Sequence, residues 1–162
     1  MLAPILLFTL TVQAAPCDDA LAAFTAARRK FDYAASEAAM QQAVGACGKE
    51  AKPADRAWML ENLADVQLHG EKWQAGLASA EACVAVESSN PSCHFYRWFA
   101  LRQLKRWSDV DAEKPAAMKA LQAFLAQKPD AAASPQARQR LASQQERVQG
   151  LYATLRRAAD RQ

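Results

Sequence analysis

Glycine is scarce in this chain, with 5 in 162 residues, and β-branched residues are few. Without runs of Val, Ile and Thr that alternate with polar residues between turn signals, the sequence offers nothing that reads as a strand. Glycine-rich phosphate loops are missing too, as are a Gly-x-Ser-x-Gly elbow and a His-Glu-x-x-His helix. With only two histidines, His69 and His94, little is left from which to assemble acid–base chemistry. A net charge of +3 is too small to imply a nucleic-acid partner. These shortages point away from an enzyme and from any cofactor. Past the N-terminus no apolar run approaches the roughly 20 residues that span a bilayer.

What is abundant is alanine, which loses no side-chain entropy on becoming helical, within a 51% apolar composition. The fold class expected is all-α, and at 162 residues one domain is the working size. The opening "MLAPILLFTLTVQAA" has no charged side chain, an apolar run from Ile5 to Leu10 and a small-residue ending. Residues 1–15 therefore read as a secretory signal peptide cleaved near Ala14 or Ala15. Pro16 sits where a lipoprotein signal wants Gly or Ala, so Cys17 is expected to be a thiol and not a lipid anchor. Export implies a periplasmic or secreted, oxidising location, in which four cysteines can close two bridges.

Helical periods separated by short breakers divide the remainder. Expected helices run from Asp18 to Lys30, Tyr33 to Cys47, Ala54 to His69, Trp73 to about Glu87, Asn90-Pro91 to about Arg106, Ser108 to about Gln127, and from Ser134-Pro135 onward. Asn90 and Ser134 are natural caps, each followed by a proline suited to the first turn. "SDVD" at Ser108 looks like a capping box, and Pro115 is expected to kink or divide the sixth helix. The last helix, 134–162, carries six arginines against Glu146 and Asp160, leaving +4, and an apolar stripe of Leu141, Val148, Leu151 and Leu155.

Three stretches look alike: "KFDYAASEAAMQQAV", "EKWQAGLASAEACVAV" and "KRWSDVDAEKPAAMKAL". Each places an aromatic, Tyr33, Trp73 or Trp107, at the entry to the second helix of a pair, at spacings of 40 and 34 residues. Over residues 18–128 the chain resembles the tetratricopeptide repeat family. Its best unit runs from Trp58 to Glu87, with Leu60, Leu63 and Ala64 on one helix and Gly76, Ala80 and Cys83 as small packing residues on the next. The first unit matches through Ser36, Met40 and Ala43, without the usual aromatic of its first helix, and the third departs at Pro115. The resemblance implies about three hairpins over 16–133, a capping helix over 134–162, and a groove that binds a protein or peptide partner without chemistry of its own.

Facing residues of an antiparallel hairpin lie symmetrically about its turn. Cys83 and Cys93 flank the turn between Glu87 and Pro91 in this way, and Cys17 and Cys47 flank the turn at residues 30–32. The expected pairs are thus Cys17–Cys47 and Cys83–Cys93. A zinc site built on Cys83, Cys93, His94 and His69 is disfavoured because Cys93 and His94, consecutive on a helix, point about 100° apart. His94 then owes its prominence to position alone. Glu61 and Asp65, four apart, read as a solvated edge. Phe95, Trp98 and Phe99 share a core face, whereas Tyr96, off that face, is expected to line a partner-binding surface with Arg97, Gln103 and Arg106. The alternative partner is anionic lipid or glycan, met by the basic last helix.

Overall fold

The computed structural model describes residues 15–130 and 132–159, and within them every regular element is a helix. The seven are α1 (Ala15–Arg29), α2 (Tyr33–Cys47), α3 (Pro53–His69), α4 (Trp73–Val86), α5 (Pro91–Gln103), α6 (Trp107–Leu125) and α7 (Pro135–Ala159). The all-α expectation and the hairpin order hold. The signal-peptide reading falls on 1–15 and lies outside the described residues, apart from Ala15, which opens α1. Among the described residues no helix is long and apolar enough to cross a membrane.

Packing follows chain order: α1 lies on α2, α3 on α4 and α5 on α6, and each pair stacks on the next through α2–α3, α4–α5 and α6–α7. Beyond neighbours, α3 touches α5 and α5 touches α7, while among the described residues no such contact joins α2, α4 and α6. Helices α3, α5 and α7 thus form the tighter, inner layer of the stack and α2, α4 and α6 its outer layer, with α1 reaching the inner layer through the Arg28–Asp65 ion pair, as repeat proteins do when each hairpin leaves a face for its neighbour.

The repeat is visible in the backbone. Phe31, Glu71 and Lys105 have φ of 57°, 58° and 58°, two residues before Tyr33, Trp73 and Trp107. In each turn the next residue donates its N–H five residues back: Asp32 to Ala27, Lys72 to Gln67 and Arg106 to Leu101, at 3.1, 2.8 and 3.0 Å. The left-handed residue itself donates to Arg28, Leu68 or Arg102. All three hairpins therefore end their first helix in a Schellman turn whose left-handed position holds a residue with a Cβ, at a cost of about 1 kcal/mol each.

The small residues let helices approach closely. Gly76 on α4 is buried against α3, where an added Cβ would stand 2.6 Å from Leu68 Cδ2. One core joins α1 to α3 through Phe24, Met40, Met59, Leu63 and Val66. A second joins α3 to α7 through Leu77, Phe95, Trp98, Leu101, Leu121 and Leu155. Between them Cys83 and Cys93, both fully buried, pack with Ala57 and Leu60.

Both expected disulfides are present, with Cα–Cα separations of 5.7 Å for Cys17–Cys47 and 5.8 Å for Cys83–Cys93, inside the range a bridge requires. The first ties the start of α1 to the end of α2. The second joins the last turn of α4 to the first turn of α5, and so fixes hairpin two to hairpin three.

Two local expectations fail. Pro115 does not divide α6, which runs unbroken from Trp107 to Leu125 and completes a third hairpin. The ring removes only the bond to the Asp111 carbonyl, and both residues are exposed, so water replaces it. Ser108 is no cap, because the helix already begins at Trp107, and Arg106 at the cap position pairs with Asp109 at 2.6 Å instead. Asn90 and Ser134 do cap α5 and α7, accepting from Ser92, Cys93 and Ala137 backbone N–H groups at 3.0, 3.1 and 3.2 Å.

Candidate binding groove

Each helix of the inner layer contributes a polar side chain to one connected chain of contacts. Arg28 on α1 donates to Asp65 on α3 at 2.6 Å. The other Asp65 oxygen accepts the Tyr96 hydroxyl of α5 at 3.0 Å. Arg147 on α7 donates to that hydroxyl at 2.8 Å and pairs with Glu61 of α3 at 3.0 Å. Asn90, the cap of α5, donates to the second Glu61 oxygen at 3.4 Å. One helical turn on, His69 Nδ1 lies 2.9 Å from the Asp65 carbonyl and its ring stacks on Tyr33 at 5.0 Å.

Electrostatics lock this arrangement. Burial first, and then the negative charge of Asp65, pushes the Tyr96 phenol far above its ordinary value, so it stays protonated and donates. For Arg147 burial works against the charge, but Tyr96, Glu61 and Asp65 outweigh it and raise its pKa. Two carboxylates buried on one face of α3 are thus each matched by a cation from a distant helix, as buried charges require.

Several expectations about individual residues change here. Glu61 and Asp65 are not a solvated edge; both are buried, because the inner layer covers that side of α3. Tyr96 is 6% exposed and held by Asp65 and Arg147, and it lines the wall of a cavity with Trp73, Phe95 and Phe99 without being an open surface residue. Arg97 turns the other way, half-buried, and pairs with Glu113 of α6 at 3.1 Å. Gln103 and Arg106 are exposed at the α5–α6 turn. These four residues were expected to form one surface, and the geometry of α5 sends them to three places.

His94 is more than a bystander: its Nδ1 lies 2.6 Å from Glu113 Oε1 and its Nε2 2.8 Å from the Ser88 carbonyl. It stitches α5 to α6 and to the α4–α5 loop, and its hydrogen bond to Glu113 raises its pKa. Of the residues weighed as zinc ligands, Cys83 and Cys93 bond to one another, His94 serves Glu113, and His69 stacks on Tyr33. Phe95 and Trp98 are buried as expected, while Phe99 is half-buried between Phe95 and Trp73, with ring centroids 6.2 Å from each.

The basic helix is also redistributed. Arg147 points inward, Arg138 and Arg140 stand near the start of α7, and Arg156 and Arg157 near its end. Among the described residues these five arginines do not share one face, and Arg161 lies outside the described residues.

The open space lies along α3. Gln145 Nε2 donates to the Gln127 carbonyl at 2.8 Å and Gln122 to Tyr152 at 3.0 Å, so α7 runs antiparallel to α6 and its first residues, 135–144, pass beyond the end of α6. Beneath that overhang is a cavity of about 550 Å³, walled by Trp58 and Glu61 of α3, the α4–α5 loop, and Arg147 of α7. A second, of about 410 Å³, lies across Trp58 against Leu21, Met59 and the Cys17–Cys47 bridge. A third, of about 230 Å³, is bounded by Leu68, Trp73, Phe95 and Leu151. Trp58 is 46% exposed between the first two, and sequence periodicity did not single it out.

Neither the family models nor the curated proteins compared with this chain give a match. The class is therefore defined by the geometry: an all-α stack of three antiparallel hairpins and a closing helix, stapled by two disulfides, with an inner layer cross-linked by ion pairs.

Proposed function

We propose that this chain is a periplasmic or secreted protein-interaction or assembly module on a tetratricopeptide-like scaffold, which binds a partner and catalyses nothing itself. The observation that carries the reading is the groove along α3, where Trp58 stands 46% exposed between two cavities on a scaffold braced by cations paired with buried carboxylates. A large aromatic held on a rigid helix at the edge of a cleft is the kind of anchor that dominates protein interfaces. The two disulfides support an oxidising location, and the N-terminal sequence supports export.

Comparative pull-downs from envelope extracts test the proposal. The wild-type chain is expected to retain a discrete partner that Trp58→Ala loses and that Phe31→Ala, altered at the exposed turn of the first hairpin, keeps. Equal retention by all three proteins contradicts a groove at α3.

A further inference from the structure

The two cavities beside Trp58 share a wall, Asp55 and Trp58 lining both. Their charge is lopsided in a chain whose net charge is +3. Glu50, Asp55, Glu61 and Glu87 line the pair, and among the described residues the one cation lining them is Arg147. That cation is already committed to Glu61 and Tyr96. Glu50, Asp55 and Glu87 enter no ion pair among the described residues, which leaves three carboxylates without an ion-pair partner around an indole that is 46% exposed and rests against Phe24. The second cavity adds an apolar floor of Leu21, Met59 and the Cys17–Cys47 bridge.

We infer that this double groove holds a cationic segment of a partner protein, with a lysine or arginine over Trp58 beside Asp55 and Glu87 and an apolar side chain on the Leu21–Met59 floor. The inference rests on the interaction-module reading and names the chemistry of the partner. An indole face attracts a cation held over it, and carboxylates alongside make the attraction selective for Lys and Arg over neutral side chains. Arg147 is an internal precedent: a guanidinium from elsewhere in the chain already satisfies Glu61 in the wall of this groove. An acidic segment would instead meet like charge on both sides of Trp58 and be rejected.

The test uses the full disulfide-bonded chain and a fluorescently labelled nine-residue positional-scanning peptide library. Enrichment of Lys or Arg at one or more positions, with a large apolar residue at another, is expected. Binding of the best peptide should weaken as salt rises from about 0.05 M to about 0.3 M. It should also weaken about fivefold in Asp55→Asn/Glu87→Gln, two exposed charge pairs being worth about 1 kcal/mol together. Glu71→Gln/Asp111→Asn, altered at exposed positions away from the groove, should bind as wild type. Enrichment of acidic residues, no enrichment, or equal weakening in both double variants overturns the inference. So does self-association that rises with concentration and is lost in Asp55→Asn/Glu87→Gln, since it would assign the groove to a second copy of the chain. The two readings fail separately: a partner lost by Trp58→Ala with no preference for basic peptides removes only the cationic claim. A partner indifferent to Trp58→Ala removes the groove itself.

Discussion

The guanidinium of Arg147 lies 3.0 Å from the Glu61 carboxylate and 2.8 Å from the Tyr96 hydroxyl, so the last helix is bound to α3 and α5 by a charge and not only by its apolar stripe. The consequence is that α7 stabilises the second and third hairpins directly. Arg147→Ala leaves Glu61 and Tyr96 short of a partner. With the Arg147 side chain 48% exposed, a loss of about 1–2 kcal/mol is expected. Tyr96→Phe, which also strips a donor from buried Asp65, should cost a similar amount, and the double variant less than the sum. Urea unfolding of the four disulfide-bonded proteins measures this coupling, and strict additivity would contradict a shared network.

His94 makes stability depend on pH. Its pKa is raised in the folded state, chiefly by the hydrogen bond to Glu113, above the ordinary value of about 6.5 that it regains on unfolding. The folded protein therefore binds the proton more tightly. The stabilisation is fully present below about pH 6.5 and is lost as pH rises through the elevated folded value. Thermal unfolding followed across that window should show a decline that His94→Gln flattens. An unchanged slope in the variant would contradict the pairing.

The three left-handed turn residues offer a gain. Phe31→Gly and Lys105→Gly relieve a Cβ at φ near 58° and should each stabilise by about 0.5–1 kcal/mol, whereas the same change at helical Gln103, which ends α5, should give no gain and a small loss. Gly76→Ala goes the other way, by about 1–3 kcal/mol, because its methyl would force Leu68 out of place. Denaturant midpoints of the single variants give both signs.

Peptide mapping under non-reducing conditions should recover Cys17–Cys47 and Cys83–Cys93, and removal of either bridge should cost about 3 kcal/mol. The larger loss is expected for Cys17–Cys47, whose partners are 30 residues apart against 10 for the other pair. A Cys47–Cys83 peptide would contradict the arrangement.

Hairpin order, helix ends and cysteine pairing were legible in the sequence because each rests on local signals. Asn90-Pro91 and Ser134-Pro135 start helices, and a short turn places symmetric positions face to face. The groove and its relay were not legible. Glu61 and Asp65 resemble a solvated edge until Arg28 and Arg147 arrive from remote helices, and Tyr96 looks free until α7 covers it. Polar clusters that join four helices depend on which faces the stack turns inward, and periodicity within one helix carries no record of that. The misreadings of Pro115 and Ser108 have another origin, since both signals were outweighed by a helix that packing had already committed.

Cross-linking in intact cells bears most directly on the central claim that the α3 groove is a partner-binding site. A photo-reactive phenylalanine derivative at position 58, in the groove, is compared with the same residue at position 78, on the exposed outer face of α4. The expected result is a discrete adduct with another protein from position 58 and none from position 78. Adducts of equal yield from both positions, or none from position 58, would contradict it.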